Sequence, residues 1–170
     1  MKLIILNGST CSGKSTIIKN ILKKRDHLFH LSYDSLKWSF SNYKPDTHFN
    51  DVRIIVLAVA AAVFKMGYDV ISDSTLSRES REKLKNLAIE AGYEILEVNL
   101  EADFELLSER FDARVASALL NPERRISNLS KDRFVELYNT FNQEKNASAL
   151  VFRTDMQSEE EISDSIIKLL

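Results

Sequence analysis

The segment between residues 8 and 15 has the composition and spacing of a phosphate-binding loop. It reads Gly8-Ser-Thr-Cys-Ser-Gly13-Lys14-Ser15 and matches G-x-x-x-x-G-K-[ST] at every fixed position. The glycines let backbone N–H groups point at one phosphate, and Lys14 is expected to reach the β- and γ-phosphates. Ser15 is expected to offer its hydroxyl to Mg²⁺. The predicted nucleotide contacts are Gly8, Ser9, Thr10, Cys11, Ser12, Gly13, Lys14, Ser15 and Thr16.

Asp34 is the first of two candidate catalytic carboxylates. It lies between a predicted strand and a short predicted helix, so it is expected at the carboxyl edge of the sheet, where ligands bind in open α/β folds. There it is predicted to deprotonate an acceptor hydroxyl, and a simple helix N-cap is the alternative. Lys37, one turn later, is either a substrate contact or a surface lysine.

Asp73 is the second candidate and ends the third apolar strand-like run. It is expected either to orient Mg²⁺ through water or to hold the acceptor. A turn aspartate is the competing interpretation. Ser74 and Thr75 follow it and offer two more hydroxyl groups.

Arg110 and Arg114 lie one turn apart on a predicted helix and therefore share a face. Two guanidinium groups there are expected to stack on the nucleotide base and to clamp the transferred phosphate oxygens. A salt-bridged solvent face is the alternative, because acidic residues lie nearby. Arg124 and Arg125 are candidates for a mobile lid, although a surface doublet is favoured when they are considered alone.

The elements that must position these residues alternate between strand and helix. Short apolar runs predict five strands at about 2–7, 27–32, 68–73, 93–100 and 149–154. Helical patterns are predicted at about 13–24, 34–41, 50–66, 77–91, 103–120, 130–145 and from 158 onward. A loop is expected at 41–47, and the apolar run 54–64 is interpreted as a buried core helix. The alternation predicts an α/β fold with a five-stranded parallel sheet and helices on both faces.

The composition narrows the class of protein further. The 170 residues fit one domain, and four Gly with two Pro are too few for a turn-rich all-β fold. One cysteine, Cys11, forms no disulfide framework, and a filler role is favoured over a redox role because its position in the loop is variable. No apolar run is long enough to span a bilayer, so a cytoplasmic location is expected. The net charge of −2 disfavours binding of long nucleic acid but is compatible with a small-molecule partner.

Other classes of nucleotide-binding protein lack their motifs in this sequence. GTPases need D-x-x-G and N-K-x-D, and neither occurs. The order of the motifs instead resembles the small P-loop kinases grouped around chloramphenicol phosphotransferase and the kinase module of polynucleotide kinase, an AAA-type ATP-binding group. The segments that carry this resemblance are 4–15, 33–36, 70–75 and 107–114. The resemblance implies a P-loop NTPase fold, a helical lid at about 110–130, and residues 153–155 beside the adenine.

These observations predict a kinase that transfers the γ-phosphoryl group of ATP, with Mg²⁺, to a hydroxyl of a small molecule. A kinase for a nucleoside, a nucleotide or a polynucleotide 5′-hydroxyl is the alternative within the enzymes. A nucleotide-binding regulator with little turnover is the alternative of another class. The aromatic residues expected to line the acceptor pocket are Trp38, Phe40, Tyr43 and Phe49, of which part must be core. The sequence leaves the acceptor and the oligomeric state open.

Overall fold

Five strands form one sheet in the computed structural model, which describes residues 1–73, 78–120 and 130–170. The strands are β1 (Lys2–Gly8), β2 (Leu28–Leu31), β3 (Asp69–Ser72), β4 (Glu94–Glu101) and β5 (Leu150–Arg153). Their order in the sheet is β2-β3-β1-β4-β5, and all four neighbouring pairs are parallel. The predicted five-stranded parallel sheet is therefore confirmed. Because β1 lies in the middle, the loop that follows it opens at the centre of the carboxyl edge.

Helices connect the strands and flank the sheet. They are α1 (Lys14–Lys24), α2 (Tyr33–Lys37), α3 (Pro45–Met66), α4 (Arg78–Glu90), α5 (Phe104–Leu120), α6 (Lys131–Glu144) and α7 (Glu159–Ile167). The described part of the expected lid, up to residue 120, is helical, and residues 121–129 lie outside the described residues.

Alternate side chains of β1 enter two separate cores. Leu3 and Ile5 face one side of the sheet, where they pack with residues of α3 and α4 such as Val56 and Leu84. Ile4 and Leu6 face the other side, where α1 and α7 contribute a second buried cluster. Both clusters remove apolar surface from water, which is the main favourable term in folding. Helices therefore cover both faces of the sheet, as the alternating pattern predicted.

The smaller third core fixes α5 and α6 beside the phosphate-binding loop. Phe111 of α5 stacks on Phe134 of α6 with ring centroids 4.7 Å apart, and both rings are buried. Cys11 packs against this cluster from the loop. The arginines of α5 are thus held close to the carboxyl edge of β1.

Two expectations about the region after β2 were wrong. The segment 41–47 was expected to be a loop, but α3 begins within it at Pro45, because proline is tolerated in the first helical turn. The run 54–64 was expected to be a buried core helix. Val56, Ala60 and Val63 are buried, whereas Ile54 is 66% exposed, so the helix is buried along one side only.

Candidate active site

The loop after β1 needs glycine at both glycine positions of its motif. A Cβ added to Gly8 would collide with the Ser12 side chain and lie 3.0 Å from the carbonyl oxygen of Leu100 on β4, so a larger residue there would force its surroundings to shift. Gly13 has a φ of 87°, in the left-handed region that glycine adopts without strain. These two constraints bend the chain from the end of β1 into the first turn of α1.

The N-terminus of α1 is available for an anion. Its N-cap is Gly13, which has no side chain to cap the helix, and its first turn contains no acidic residue. The N–H groups at the helix start and the positive end of the helix dipole therefore favour a phosphate there. Ser15 and Thr16, which the pattern assigned to Mg²⁺ and the α-phosphate, are both exposed in this first turn.

Lys14 folds over the loop that precedes it. Its ammonium donates to the carbonyl oxygens of Gly8, at 2.7 Å, and Ser9, at 2.8 Å. Desolvation by burial lowers the pKa of Lys14 to about 8, against the opposing charges of Asp73, Cys11 and Asp34. Arg114 lowers it further. Lys14 thus shares one electrostatic environment with both candidate carboxylates and one candidate arginine.

Asp34 lies in the first turn of α2, and Ser32 is the residue that caps this helix. The Ser32 hydroxyl accepts a hydrogen bond from the backbone N–H of Ser35, so the N-cap interpretation of Asp34 is wrong. The Asp34 side chain is 69% exposed, and its Oδ1 accepts a hydrogen bond from the Lys37 ammonium at 2.5 Å. Lys37 itself is buried, with its Nζ 4.8 Å from the centre of the Trp38 ring. A surface lysine is therefore excluded, and Lys37 orients one oxygen of Asp34.

Asp73 is held by a histidine on the neighbouring strand. His30 Nε2 lies 3.0 Å from Asp73 Oδ1, and the Asp73 side chain is only 13% exposed. His30 is paired in register with Ile71, so it faces the same side of the sheet as the residue two positions later. The sequence reasoning missed His30, because no motif connects it to Asp73. His30 could have been found from the sequence only if β2 had been known to pair with β3, the strand that Asp73 follows.

The two arginines of α5 have different surroundings. Arg110 donates to the hydroxyl of Thr154 at 3.1 Å and to its carbonyl oxygen at 2.9 Å, which fixes the guanidinium beside the segment that follows β5. Arg114 instead acts on the charge of Lys14 at the phosphate-binding loop. The predicted shared helix face therefore reaches two places. The resemblance placed Thr154 in the segment beside the adenine, but its contact with Arg110 was not predicted.

The segment after β5 is fixed by ion pairs. Arg153 contacts Asp155, and its Nη2 lies 2.6 Å from Asp103 Oδ1 at the start of α5. The hydrogen bond from Arg153 lowers the pKa of Asp155 to about 2. These contacts tie the end of β5 to α5, the helix that carries both arginines.

The aromatic residues from the start of α2 to the second turn of α3 form a partly buried group. The hydroxyls of Tyr33 and Tyr43 are 2.9 Å apart, and the Trp38 ring lies 6.2 Å from that of Tyr43. Phe40 and Tyr43 also pack against the core of the sheet, and Phe49 is exposed in part beside Tyr33. Part of the set is core, as expected, and the group adjoins Asp34 through Tyr33 and Lys37.

Only a few residues of the candidate site offer oxygen atoms to a metal ion. Within the described part of the chain, no group of three or more His, Cys, Asp or Glu side chains is placed to hold a metal. Ser15 and Asp73 offer oxygen atoms, which suit Mg²⁺, an ion that usually keeps water and takes nucleotide phosphates as further ligands. Four residues singled out from the sequence, Ser74, Thr75, Arg124 and Arg125, lie outside the described residues.

Comparison with families of known proteins identifies the chain. Its residues 3–154 match AAA_33, a family described as an AAA domain. The chain belongs to this family. None of the curated protein sequences matches it. Among the described residues, no helix has both the length and the apolar composition that crossing a bilayer requires.

Solved structures show that this AAA_33 member has the fold of small P-loop kinases, so the predicted resemblance is confirmed. A protein of Chloroflexus aurantiacus j-10-fl that is classed as a kinase is 18% identical, with a TM-score of 0.73 over 99% of this chain and 98% of that chain. The APS kinase CysC of Mycobacterium tuberculosis, solved with AMPPNP and APS, is also 18% identical, with a TM-score of 0.64 over 99% and 96%. A chain of the Pnkp1/Rnl/Hen1 RNA repair complex is 21% identical, with a TM-score of 0.68 over 85% and 45%. At such low identity, these likenesses describe the fold.

Proposed function

We propose that this protein is an ATP-dependent kinase that transfers the γ-phosphoryl group to a hydroxyl of a small molecule. The observation that carries the proposal is the phosphate-binding loop between β1 and α1, where the Lys14 ammonium lies over the carbonyls of Gly8 and Ser9. The charges of Asp34, Asp73 and Arg114 act on the same ammonium. A cation, two carboxylates and a guanidinium beside a phosphate-binding loop are the parts that phosphoryl transfer requires.

The nucleotide phosphates are bound by the loop and the first turn of α1. Backbone N–H groups between Gly8 and Thr16 bind the β-phosphate, and Lys14 moves from the carbonyls of Gly8 and Ser9 to the β- and γ-phosphates. Ser15 and Asp73 would hold Mg²⁺, Asp73 through a water, and the ion would neutralise charge on the phosphate oxygens. His30 holds Asp73 in place by the hydrogen bond to Oδ1, which leaves Oδ2 for that water.

Asp34 acts as the general base. As the acceptor oxygen forms its bond to the γ-phosphorus, the bond from phosphorus to the leaving ADP oxygen breaks, and the hydroxyl proton passes to the Asp34 carboxylate. Oδ2 of Asp34 takes this proton, since Oδ1 accepts the hydrogen bond from Lys37. Lys37 thereby positions the base, and its own position is fixed by burial against Trp38.

The two arginines of α5 have different roles. Arg110, anchored to Thr154, stacks on the nucleotide base, and Arg114 stabilises charge on the transferred group. The lid is proposed over residues 110–130, of which the structure describes 110–120 and 130.

An aromatic wall beside Asp34 supports a small organic acceptor. Trp38 and Tyr43 lie next to the Asp34–Lys37 pair, and rings suit an acceptor with an apolar body and one reacting hydroxyl. The net charge of −2 offers little attraction to a long polyanion. The likeness to a chain of an RNA repair complex keeps a nucleoside or polynucleotide 5′-hydroxyl as the alternative acceptor.

A phosphorylation screen tests the proposal. The purified protein is incubated with γ-labelled ATP and Mg²⁺ over antibiotics, sugars, nucleosides and short oligonucleotides, beside the Asp34→Asn variant. Label transferred to a small molecule by the wild type and lost in the variant supports the proposal. Label on oligonucleotides alone selects the polynucleotide alternative. Tight ATP binding without transfer to any acceptor class selects the nucleotide-binding regulator.

A further inference from the structure

The outer side of α3 is apolar where a helix facing water is normally charged. From residue 54 to residue 64 the helix contains no charged side chain. Its inner side packs in the core, but Ile54 is 66% exposed and Ile55 is 37% exposed, and Ala58, Ala62 and Met66 are exposed as well. A helix that is apolar on all sides is usually buried on all sides. In the described part of this chain, only one side of α3 is covered.

The exposed residues form one continuous stripe. With 3.6 residues per turn, Asp51, Ile55, Ala58, Ala62 and Lys65 lie within about 80° of one another around the helix axis. Ile54 and Met66 flank them. The stripe, defined by these seven residues, lies opposite the buried side chains of the same helix.

The two charges of the stripe occupy opposite ends and have opposite signs. Asp51 is near the start of α3 and Lys65 is near its end, and both are exposed. Within the part of the chain that the structure describes, neither residue forms a salt bridge. Fourteen positions separate them, about 21 Å along the axis. The midpoint between Asp51 and Lys65 is Ala58, a small residue in the middle of the stripe.

This arrangement is complementary to itself when two copies run antiparallel. With Ala58 of each copy on a twofold axis, Asp51 of one copy faces Lys65 of the other, and the reverse pair forms by symmetry. In the same register, Ile54 of each copy faces Ala62 of the other, so a large side chain meets a small one. Close packing of helices needs this alternation of large and small residues, and a twofold interface needs one patch that matches itself.

We propose that the protein forms a homodimer in which the α3 stripes of two copies pack antiparallel about Ala58. A second copy of the chain is the partner that fits the stripe, because a single antiparallel alignment pairs opposite charges, large with small side chains, and apolar with apolar surface. A membrane surface fits less well, because helices that lie in the interface are rich in Lys and Arg on their polar side. Here one acidic and one basic residue end the stripe.

Sedimentation velocity over a range of protein concentrations tests the dimer. Wild-type protein is expected to show a monomer–dimer equilibrium, and Ile54→Glu is expected to weaken it by at least about 100-fold, since two charges enter an apolar contact. The matched control is Ile89→Glu on α4, where the isoleucine is 61% exposed but lies outside the stripe. This control should dimerise like the wild type. Kinase activity per protomer and far-ultraviolet circular dichroism verify that both variants fold.

A charge exchange tests the register itself. Asp51→Lys or Lys65→Asp alone turns two attractive pairs into two repulsive ones and should weaken the dimer by about tenfold, whereas the double exchange should restore it. A double variant no better than either single variant would contradict the register. A wild type that stays monomeric, or a dimer that tolerates Ile54→Glu, overturns the proposal. A monomeric protein that floats with phospholipid vesicles and loses this with Ile54→Glu would assign the stripe to a membrane surface instead.

Discussion

The two ends of the candidate site differ in how the chain builds them. The nucleotide end is built from consecutive residues, because the loop, Lys14 and the first turn of α1 follow directly from β1. The acceptor end and the adjoining metal site are built from pairs that join separate elements or successive turns, such as Lys37 with Asp34 and His30 with Asp73. A phosphate chain is the same in every nucleoside triphosphate, so one contiguous motif can bind it. An acceptor pocket differs between enzymes and depends on side chains that only the fold brings together.

The two carboxylates illustrate the same contrast. Asp34 is 69% exposed and has a lysine partner one turn away, whereas Asp73 is 13% exposed and has a histidine partner on the next strand. An exposed carboxylate is accessible to an acceptor that arrives from solution. A nearly buried carboxylate with a fixed rotamer suits the orientation of a metal-bound water. Because of this difference, we assign proton abstraction to Asp34 and metal binding to Asp73.

The largest effect is expected at the nucleotide end, from Lys14→Ala. Losing this ammonium removes the charge that faces the β- and γ-phosphates, so turnover should fall by at least about 10³-fold. The matched control is Lys24→Ala at the other end of α1, where the lysine forms only surface pairs with Glu160 and Asp164. Steady-state rates and thermal melting check both variants. A Lys14→Ala protein with full activity would remove the phosphate-binding assignment.

Asp34→Asn should have the next largest effect, and at the acceptor end. The amide keeps the shape and the helix, since Ser32 caps α2, but it cannot accept the proton, so the rate should fall by about 10²-fold or more. Nucleotide affinity, measured by titration calorimetry, should stay unchanged. Asp46→Asn in the first turn of α3 is the control, with an exposed carboxylate at an equivalent helical position. An Asp34→Asn protein at full rate would show that the carboxylate is not the base.

The same contrast decides what could be predicted from the sequence. The phosphate-binding loop, the alternation of strands with helices along the chain and the start of the last helix near 158, where Ser158 forms a capping box, are confirmed, because each is a local pattern with a local physical cause. The role of His30 and the contact between Arg110 and Thr154 were missed, because these contacts join residues 43 and 44 positions apart. The start of α3 was placed too late because Pro45 signals a loop as well as a first helical turn. The exposure of one side of α3 was not predicted, because an apolar run in the sequence does not show which side of the helix other elements cover.

The arginines of α5 test whether the nucleotide end has two parts. Arg114→Ala should lower the rate by about 10²-fold with little change in nucleotide affinity, because its charge acts at the phosphates. Arg110→Ala should mainly raise the KM for ATP, by about tenfold, because the guanidinium is anchored beside the segment after β5. Measuring kcat and KM for both variants separates these expectations. Equal losses of rate in the two variants would mean that both arginines act on the transferred group.

The smallest effect is expected from His30, which acts through Asp73 and touches no substrate. His30→Leu removes the hydrogen bond to Asp73 Oδ1, so the carboxylate loses its fixed position and the Mg²⁺ concentration for half-maximal activity should rise by about tenfold. His30→Gln keeps an N–H at a similar reach and should recover most of the loss. A general packing defect would instead lower the melting temperature of both variants and leave the Mg²⁺ requirement unchanged. Because His30 lies on β2 and Asp73 follows β3, a shifted Mg²⁺ requirement would also show that the acceptor side of the sheet adjusts the metal used at the nucleotide end.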